Sequence, residues 1–201
     1  MKCNLQVIRH AQTVANQKRL YYGATDVDIS EIGEEEIAIY KKDGIYNSAK
    51  VHFTTGLLRT TRTLRLIEGD EVCPIAIDNL REFNFGDFEM FSHDELMSNE
   101  KYVEWIEDQT NAYVIPNGES KEGFEQRMEK GISELISQMY DLNEERYMLV
   151  AHGGPISFFA IKFLGFDPMN MYNSMPGNGR GYSVDFEITD NDVKVLDWKH
   201  I

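Results

Sequence analysis

Two histidines that each follow a short apolar run carry the chemistry this sequence offers. The first stands in Val7-Ile8-Arg9-His10-Ala11-Gln12-Thr13-Val14-Ala15-Asn16, after the run Leu5 to Ile8. The second stands in Ala151-His152-Gly153-Gly154-Pro155, after Tyr147 to Ala151. Such runs read as buried strands. In open α/β sheets, ligands bind in the crevice outside the carboxyl ends of the strands. Both imidazoles are therefore expected at a crevice of this kind. Arg9, Thr13 and Asn16 would lie beside His10. The start of a following helix, whose free N–H groups favour anions, would lie beside His152.

Two further groups complete a phosphoryl-transfer set. Arg59, Arg62 and Arg65 recur every three residues on one segment. Arg62 and Arg65 read as a solvated basic face, whereas Arg59, near a helix start just past a strand, is placed to point into the crevice of Arg9. Glu82 lies in the irregular, aromatic and acidic stretch Leu80 to Glu89. Among Phe83, Phe85 and Phe88 a carboxyl is expected to be desolvated, which is how an acid would become a proton donor near neutral pH. A neutral imidazole can attack phosphorus to give a phosphohistidine. The arginines and a protonated second imidazole would stabilise the equatorial oxygens. Glu82 would protonate the leaving alkoxide and then take a proton from water. No step calls for a metal or cofactor. The five histidines are scattered, without HExxH or CxxC spacing, and neither a P-loop nor a GxGxxG is present.

The elements that must position these groups follow from the apolar patterning. Ser30 is expected to cap a helix over Glu31 to Lys42, apolar at Ile32, Ile37 and Ile39 and ended by Gly44. Lys50 to Phe53 reads as a strand, Leu57 to about Ile67 as a helix, and Val72 to Ile77 as a third strand. Phe91 to Ala112 reads as a polar helical segment, with Tyr102, Trp105 and Ile106 on one stripe; Met90 and Met97 are assigned to the core. Ser120 caps a long helix to about Tyr140 that contains Arg127. Tyr147 to Ala151 is the clearest strand, followed by an apolar helix from Ile156 to Leu164 and a loop from Gly165 to Arg180. Tyr182 to Ile188 and Val193 to Trp198 alternate as a terminal hairpin.

The 201 residues suit one large domain, spanning 1–201, with a helical insertion or lid at about 87–115. Apolar content of 42% and charged content of 27% are those of a globular protein. A net charge of −14 repels nucleic acid and anionic membrane, so an anionic substrate needs a locally basic pocket. Only Cys3 and Cys73 are present, Met1-Lys2-Cys3-Asn4 runs straight into the first strand without a signal peptide, and no apolar run reaches the ~18 residues of a membrane span. A reduced, cytoplasmic protein without nucleic-acid or membrane partners is expected. The terminal hairpin offers an edge for pairing, so a monomer and a homodimer both stay open.

Taken in order, these motifs resemble the histidine phosphatase superfamily, also called phosphoglycerate mutase-like, over nearly the full length. Arg9, His10, Thr13 and Asn16 match its Arg-His-Gly-x-Thr-x-x-Asn opening, with Ala11 in the glycine place. Gly23, Asp26, Ile29, Ser30 and Gly33 match the next element. Thr55 to Thr63, with Arg59, resembles its Ser-x-Leu-x-Arg helix start. Leu80-Arg81-Glu82 through Gly86 and Glu89 resembles its acid loop. Gly118-Glu119-Ser120 with Arg127, and Ala151-His152-Gly153-Gly154, resemble its last two motifs.

The resemblance implies a three-layer, doubly wound, mostly parallel α/β sheet with helices on both faces. It implies His10 as nucleophile, Glu82 as acid/base, and Arg9, Arg59 and His152 as phosphoryl-binding groups. Asn16 and the Gly153 N–H would be further donors, and Thr13 and Gly23 carry over with the substrate-binding set. If the position of Ala11 needs φ > 0, its β-carbon costs about 1 kcal/mol and crowds the pocket. Met90 stands where the family commonly has glycine and is expected to matter less. The family's phosphoglycerate mutases are generally longer and more basic around the acid loop. Here the segment from Asp87 to Asp108 holds one lysine, Lys101, among eight acids. That composition suits a monophosphate with a neutral or cationic body, with Tyr21, Tyr22 and the phenylalanines as an apolar wall. A phosphomonoesterase acting on a small phosphorylated metabolite is the leading expectation. A mutase, or a weakly catalytic phosphate-binding module with Ala11 as its lesion, are the alternatives.

Overall fold

Strand β1 (Lys2–Arg9) shows how the sheet divides the core. Side chains alternate along a strand, so Leu5 and Val7 enter one apolar cluster and Ile8 another on the opposite face. In the same way, Tyr147, Leu149 and Ala151 join the first cluster, and Met148 and Val150 the second. A strand buried on both faces reads as a continuous apolar run, which is why these two runs were legible.

A computed structural model describes residues 1–169 and 174–201. After β1 come α1 (Val14–Gln17), α2 (Glu31–Lys42), β2 (Val51–Thr54), α3 (Leu58–Glu68) and β3 (Ile75–Ala76). Two short 3-10 turns, Asp78–Leu80 and Gly86–Phe88, lead to α4 (His93–Leu96), α5 (Glu100–Glu107) and α6 (Lys121–Leu142). The chain ends with β4 (Arg146–Ala151), α7 (Gly153–Leu164), β5 (Gly181–Ile188) and β6 (Val193–His200). The described residues form one six-stranded sheet in the order β3-β2-β4-β1-β5-β6. β1 to β4 run parallel, while β5 runs against both β1 and β6.

Helices α2 and α3 cover the Ile8 face through Ile37, Leu64 and Ile67. Helices α6 and α7 cover the other through Met128, Ile132, Leu135, Ile156 and Phe159. The architecture is thus the three-layer, doubly wound sheet expected. From β1 the chain crosses one face to β2; from β4 it crosses the other face to β5. The adjacent strands β1 and β4, in register from Asn4↔Arg146 to Arg9↔Ala151, therefore flank the topological switch point. No helix among the described residues is long and apolar enough to cross a membrane.

Several expectations need correction. The third strand shrinks to Ile75–Ala76, because Pro74 has no N–H to give to a ladder. The 91–112 segment breaks into α4 and α5, since Ser92 and Asn99 each cap a new helix start. Ile32, Ile39, Met90, Met97 and Ile106 are exposed; Ile37, Tyr102 and Trp105 hold the buried positions. Helix α7 begins at Gly153, with Pro155 in its first turn, where a missing N–H costs nothing. Of the loop expected over Gly165 to Arg180, residues 170–173 lie outside the described residues.

Candidate active site

His10 leaves the end of β1 with its N–H bonded to Ala151 O of β4 at 2.9 Å. Its Nδ1 lies 2.7 Å from Ala11 O. A carbonyl only accepts, so Nδ1 carries the proton and Nε2 keeps its lone pair. The Tyr22 hydroxyl stands 3.5 Å from Nε2 and donates instead to Asn16 Oδ1 at 2.8 Å. Burial, with Arg59 adding to it, holds the His10 pKa well below its ordinary value of 6.5. The ring is a neutral imidazole with an unprotonated nitrogen.

His152 caps α7 at the end of β4, its ring centroid 5.3 Å from that of His10. Arg59 Nε donates to its Nδ1 at 3.2 Å, so its proton sits on Nε2, which donates to Thr55 Oγ1 at 2.8 Å. Burial, Arg59 and His10 also hold this ring well below 6.5. The expected imidazolium is thus replaced by a second neutral ring, because the neighbouring guanidinium supplies the positive charge.

Arg59 is wholly buried on the first turn of α3. Its Nη groups donate to Gly23 O at 2.7 Å and Thr25 O at 3.0 Å, and its charge stacks 4.9 Å from the Tyr22 ring. Arg9, half-buried, donates through Nη1 to Pro176 O at 2.9 Å. Among the described residues neither guanidinium forms an ion pair with a carboxylate. A buried cation without a directly paired carboxylate is costly, and a bound anion would relieve it. Arg62, by contrast, pairs with Asp28 and Glu34 at the surface.

Glu82 reaches the same place from the acid loop. Its carboxylate accepts from Phe83 N at 2.9 Å and Gly154 N at 3.1 Å. Arg9, His10, Asn16, Arg59, Glu82 and Gly154 line one cavity of about 410 Å3. Its remaining wall is largely apolar: Leu20, Tyr21, Phe83, Phe85, Trp105, Phe124, Phe158 and Ile161, with Lys121 and Glu125 as further charged side chains. Lys121 Nζ is held by Asp108 O at 3.2 Å.

The other expected site residues lie behind this wall. Thr13 caps α1 and, with Tyr22, fixes Asn16 by donating to its Oδ1, leaving the amide nitrogen for a ligand. Gly23 is a structural glycine: a β-carbon there would fall 1.6 Å from Phe83 O, and its own carbonyl holds Arg59. Gly153 is off the cavity wall, packed on Met175, so the glycine at the cavity is Gly154, with its N–H on Glu82. Ala11 has no positive φ; of the two residues standing in the family's glycine places, Met90 is the left-handed one, at +66°. Sequence reasoning missed the carboxylate of Glu89, which accepts from the N–H groups of Gly23, Ala24 and Thr25 and so shapes the carbonyls that seat Arg59. It also missed Asn178, which donates to His10 O at 3.0 Å. Among the described residues, no three of His, Cys, Asp and Glu are grouped to hold a metal ion.

Comparison with known proteins gives the family and the fold. The profile of the histidine phosphatase superfamily (branch 1) matches residues 5–199. The chain is 28% identical to the adenosylcobalamin/alpha-ribazole phosphatase of Escherichia coli K12, over 98% of this chain and 97% of that one. It is 32% identical to a 2,3-bisphosphoglycerate-dependent phosphoglycerate mutase of Cytophaga hutchinsonii, over 76% and 73%. The crystal structure of a putative alpha-ribazole-5'-P phosphatase from Escherichia coli superimposes with a TM-score of 0.81 at 27% identity, covering 96% of this chain and 94% of that one. This chain belongs to the histidine phosphatase superfamily.

Proposed function

We propose that the protein is a phosphomonoesterase that releases phosphate from a small phosphorylated metabolite through a phosphohistidine on His10. One observation carries this reading. An unprotonated Nε2 on a neutral His10 shares a cavity wall with two guanidiniums that lack carboxylate partners and with the Glu82 carboxyl.

His10 Nε2 attacks phosphorus and the P–O bond to the alcohol breaks. Glu82 gives its proton to the departing oxygen. The Glu82 carboxylate then takes a proton from water, the water oxygen attacks the same phosphorus, and the N–P bond breaks to free inorganic phosphate. Arg9 and Arg59, with the Asn16 amide, neutralise and orient the phosphoryl oxygens. His152 supports His10 and Arg59 from the protein side. No metal takes part in these steps.

Water is the favoured acceptor because, among the described residues of the wall, Lys121 is the one lysine or arginine beyond Arg9 and Arg59, and one of its three donors is given to Asp108 O. The aromatic wall favours an uncharged, flat or apolar alcohol body. Relatives named as alpha-ribazole phosphatases support hydrolysis, and the mutase relative supports transfer. Free thiols at Cys3 and Cys73 fit a cytoplasmic setting. The test is a panel of phosphorylated metabolites and p-nitrophenyl phosphate, with EDTA present, against wild type and His10→Ala. Phosphate release that survives EDTA and is lost in His10→Ala is expected. Indistinguishable rates would favour a binding module, label transfer without free phosphate a mutase, and loss with EDTA a metal enzyme.

A further inference from the structure

Arg127 of α6 lies off the cavity wall, yet every N–H of its guanidinium is engaged around the segment that carries Glu82. Nη1 donates to Asn79 O at 2.9 Å and Arg81 O at 2.8 Å. Nη2 donates to Glu82 O at 3.1 Å and Glu119 Oε1 at 2.6 Å, and Nε to Glu119 Oε2 at 3.2 Å. These are all five donors an arginine has. Glu119 Oε1 in turn accepts Asn84 N at 2.8 Å. The backbone is thus gripped at the carbonyl of Glu82 itself and at the N–H two residues on. The side chain of Glu82 is aimed separately, by Phe83 N and Gly154 N.

We infer that Arg127, held by Glu119, is a positioning residue for proton donation by Glu82. The inference rests on the proposed acid role of Glu82. An irregular loop has no ladder of its own to fix a side chain at the tolerance proton transfer needs, and a displacement of about 1 Å costs on the order of 100-fold in rate. The planar fork cannot be copied by lysine, which offers a point charge and three donors. Arg127→Lys therefore keeps the charge and loses the grip.

The experiment compares kcat/KM, which reports enzyme phosphorylation, for two probes that differ in their need for an acid. p-Nitrophenolate leaves unprotonated; the alkoxide of benzyl phosphate needs the proton. Arg127→Lys and Glu119→Gln are expected to lower kcat/KM for benzyl phosphate by about 10- to 100-fold, and for p-nitrophenyl phosphate by no more than about threefold. The second probe also reports that each variant is folded. Equal losses on both substrates, or none on benzyl phosphate, would overturn the positioning role. Glu82→Gln is run alongside. If it too lacks the steeper loss on benzyl phosphate, the acid role itself fails; if it shows that loss and the other two variants do not, the acid role stands and only the part given to Arg127 is wrong.

Discussion

Arg59 Nε donates to His152 Nδ1 at 3.2 Å, and this bond fixes the tautomer of the second histidine of the site. A nitrogen that accepts from a guanidinium holds no proton of its own, so His152 is neutral and turns its Nε2–H to Thr55. His10, 5.3 Å away between ring centroids, is neutral for the same causes, burial first and Arg59 second. The positive charge of the site resides on the guanidiniums, and His10 Nε2, the nitrogen proposed to attack phosphorus, stays unprotonated.

The pH dependence follows from that arrangement. Both imidazoles have folded pKa values well below 6.5, the ordinary value, so the unfolded chain binds protons that the folded one refuses. Stability is full above about pH 6.5 and falls on acidification, by up to about 1.4 kcal/mol per pH unit for each ring, until the folded pKa is reached. Urea unfolding at a series of pH values should show this slope above the carboxylate range, and His10→Asn should flatten it by one proton. A wild-type profile flat across this window would contradict the neutral pair. The acid limb of kcat/KM should likewise lie below the usual imidazole range.

Two guanidiniums without carboxylate partners should make the empty protein respond to phosphate. Saturation to about 100 times Kd adds about 2.7 kcal/mol of stability. Arg59→Lys should weaken that response and lower kcat/KM by about 100-fold, since it loses the bonds to Gly23 O, Thr25 O and His152 together. Thermal melts with and without inorganic phosphate check the first effect; an equal shift in wild type and Arg59→Lys would count against anion binding at this guanidinium.

The two departures from the family's glycines should behave in opposite ways. Ala11 has no positive φ and gives its N–H to Thr63 Oγ1 at 2.8 Å, so Ala11→Gly should not raise activity and should cost about 0.5–1 kcal/mol through unfolded-state entropy. Met90, at φ +66° and exposed, is the strained residue. Met90→Gly should gain up to about 1 kcal/mol, the left-handed penalty outweighing the entropy of glycine. Denaturant midpoints decide it, and a loss of stability on Met90→Gly would refute the assignment of strain.

What was legible in the chain was local. His10 and His152 follow continuous apolar runs because those strands are buried on both faces, and Arg59 stands a fixed step beyond a strand end. Ser30 and Ser120 announced α2 and α6 as N-caps. What was hidden depends on distant partners. Nothing near Arg127 says that it will meet carbonyls more than 40 positions earlier, and nothing near Glu89 says that it will gather the N–H groups of residues 23–25. The neutral state of His152 was missed for the same reason, since it is set by complete burial and then by Arg59, 93 positions away. The short β3 and the break between α4 and α5 were written in Pro74, Ser92 and Asn99, local signals that the apolar pattern outweighed.

The central claim is that His10 becomes covalently phosphorylated. Mixing the enzyme with a labelled substrate, quenching in alkali during turnover and mapping the peptides tests it directly. Label on the peptide that contains His10, released by mild acid and absent from His10→Asn, is the predicted result. Label on any other residue, or turnover undiminished in His10→Asn, would contradict it.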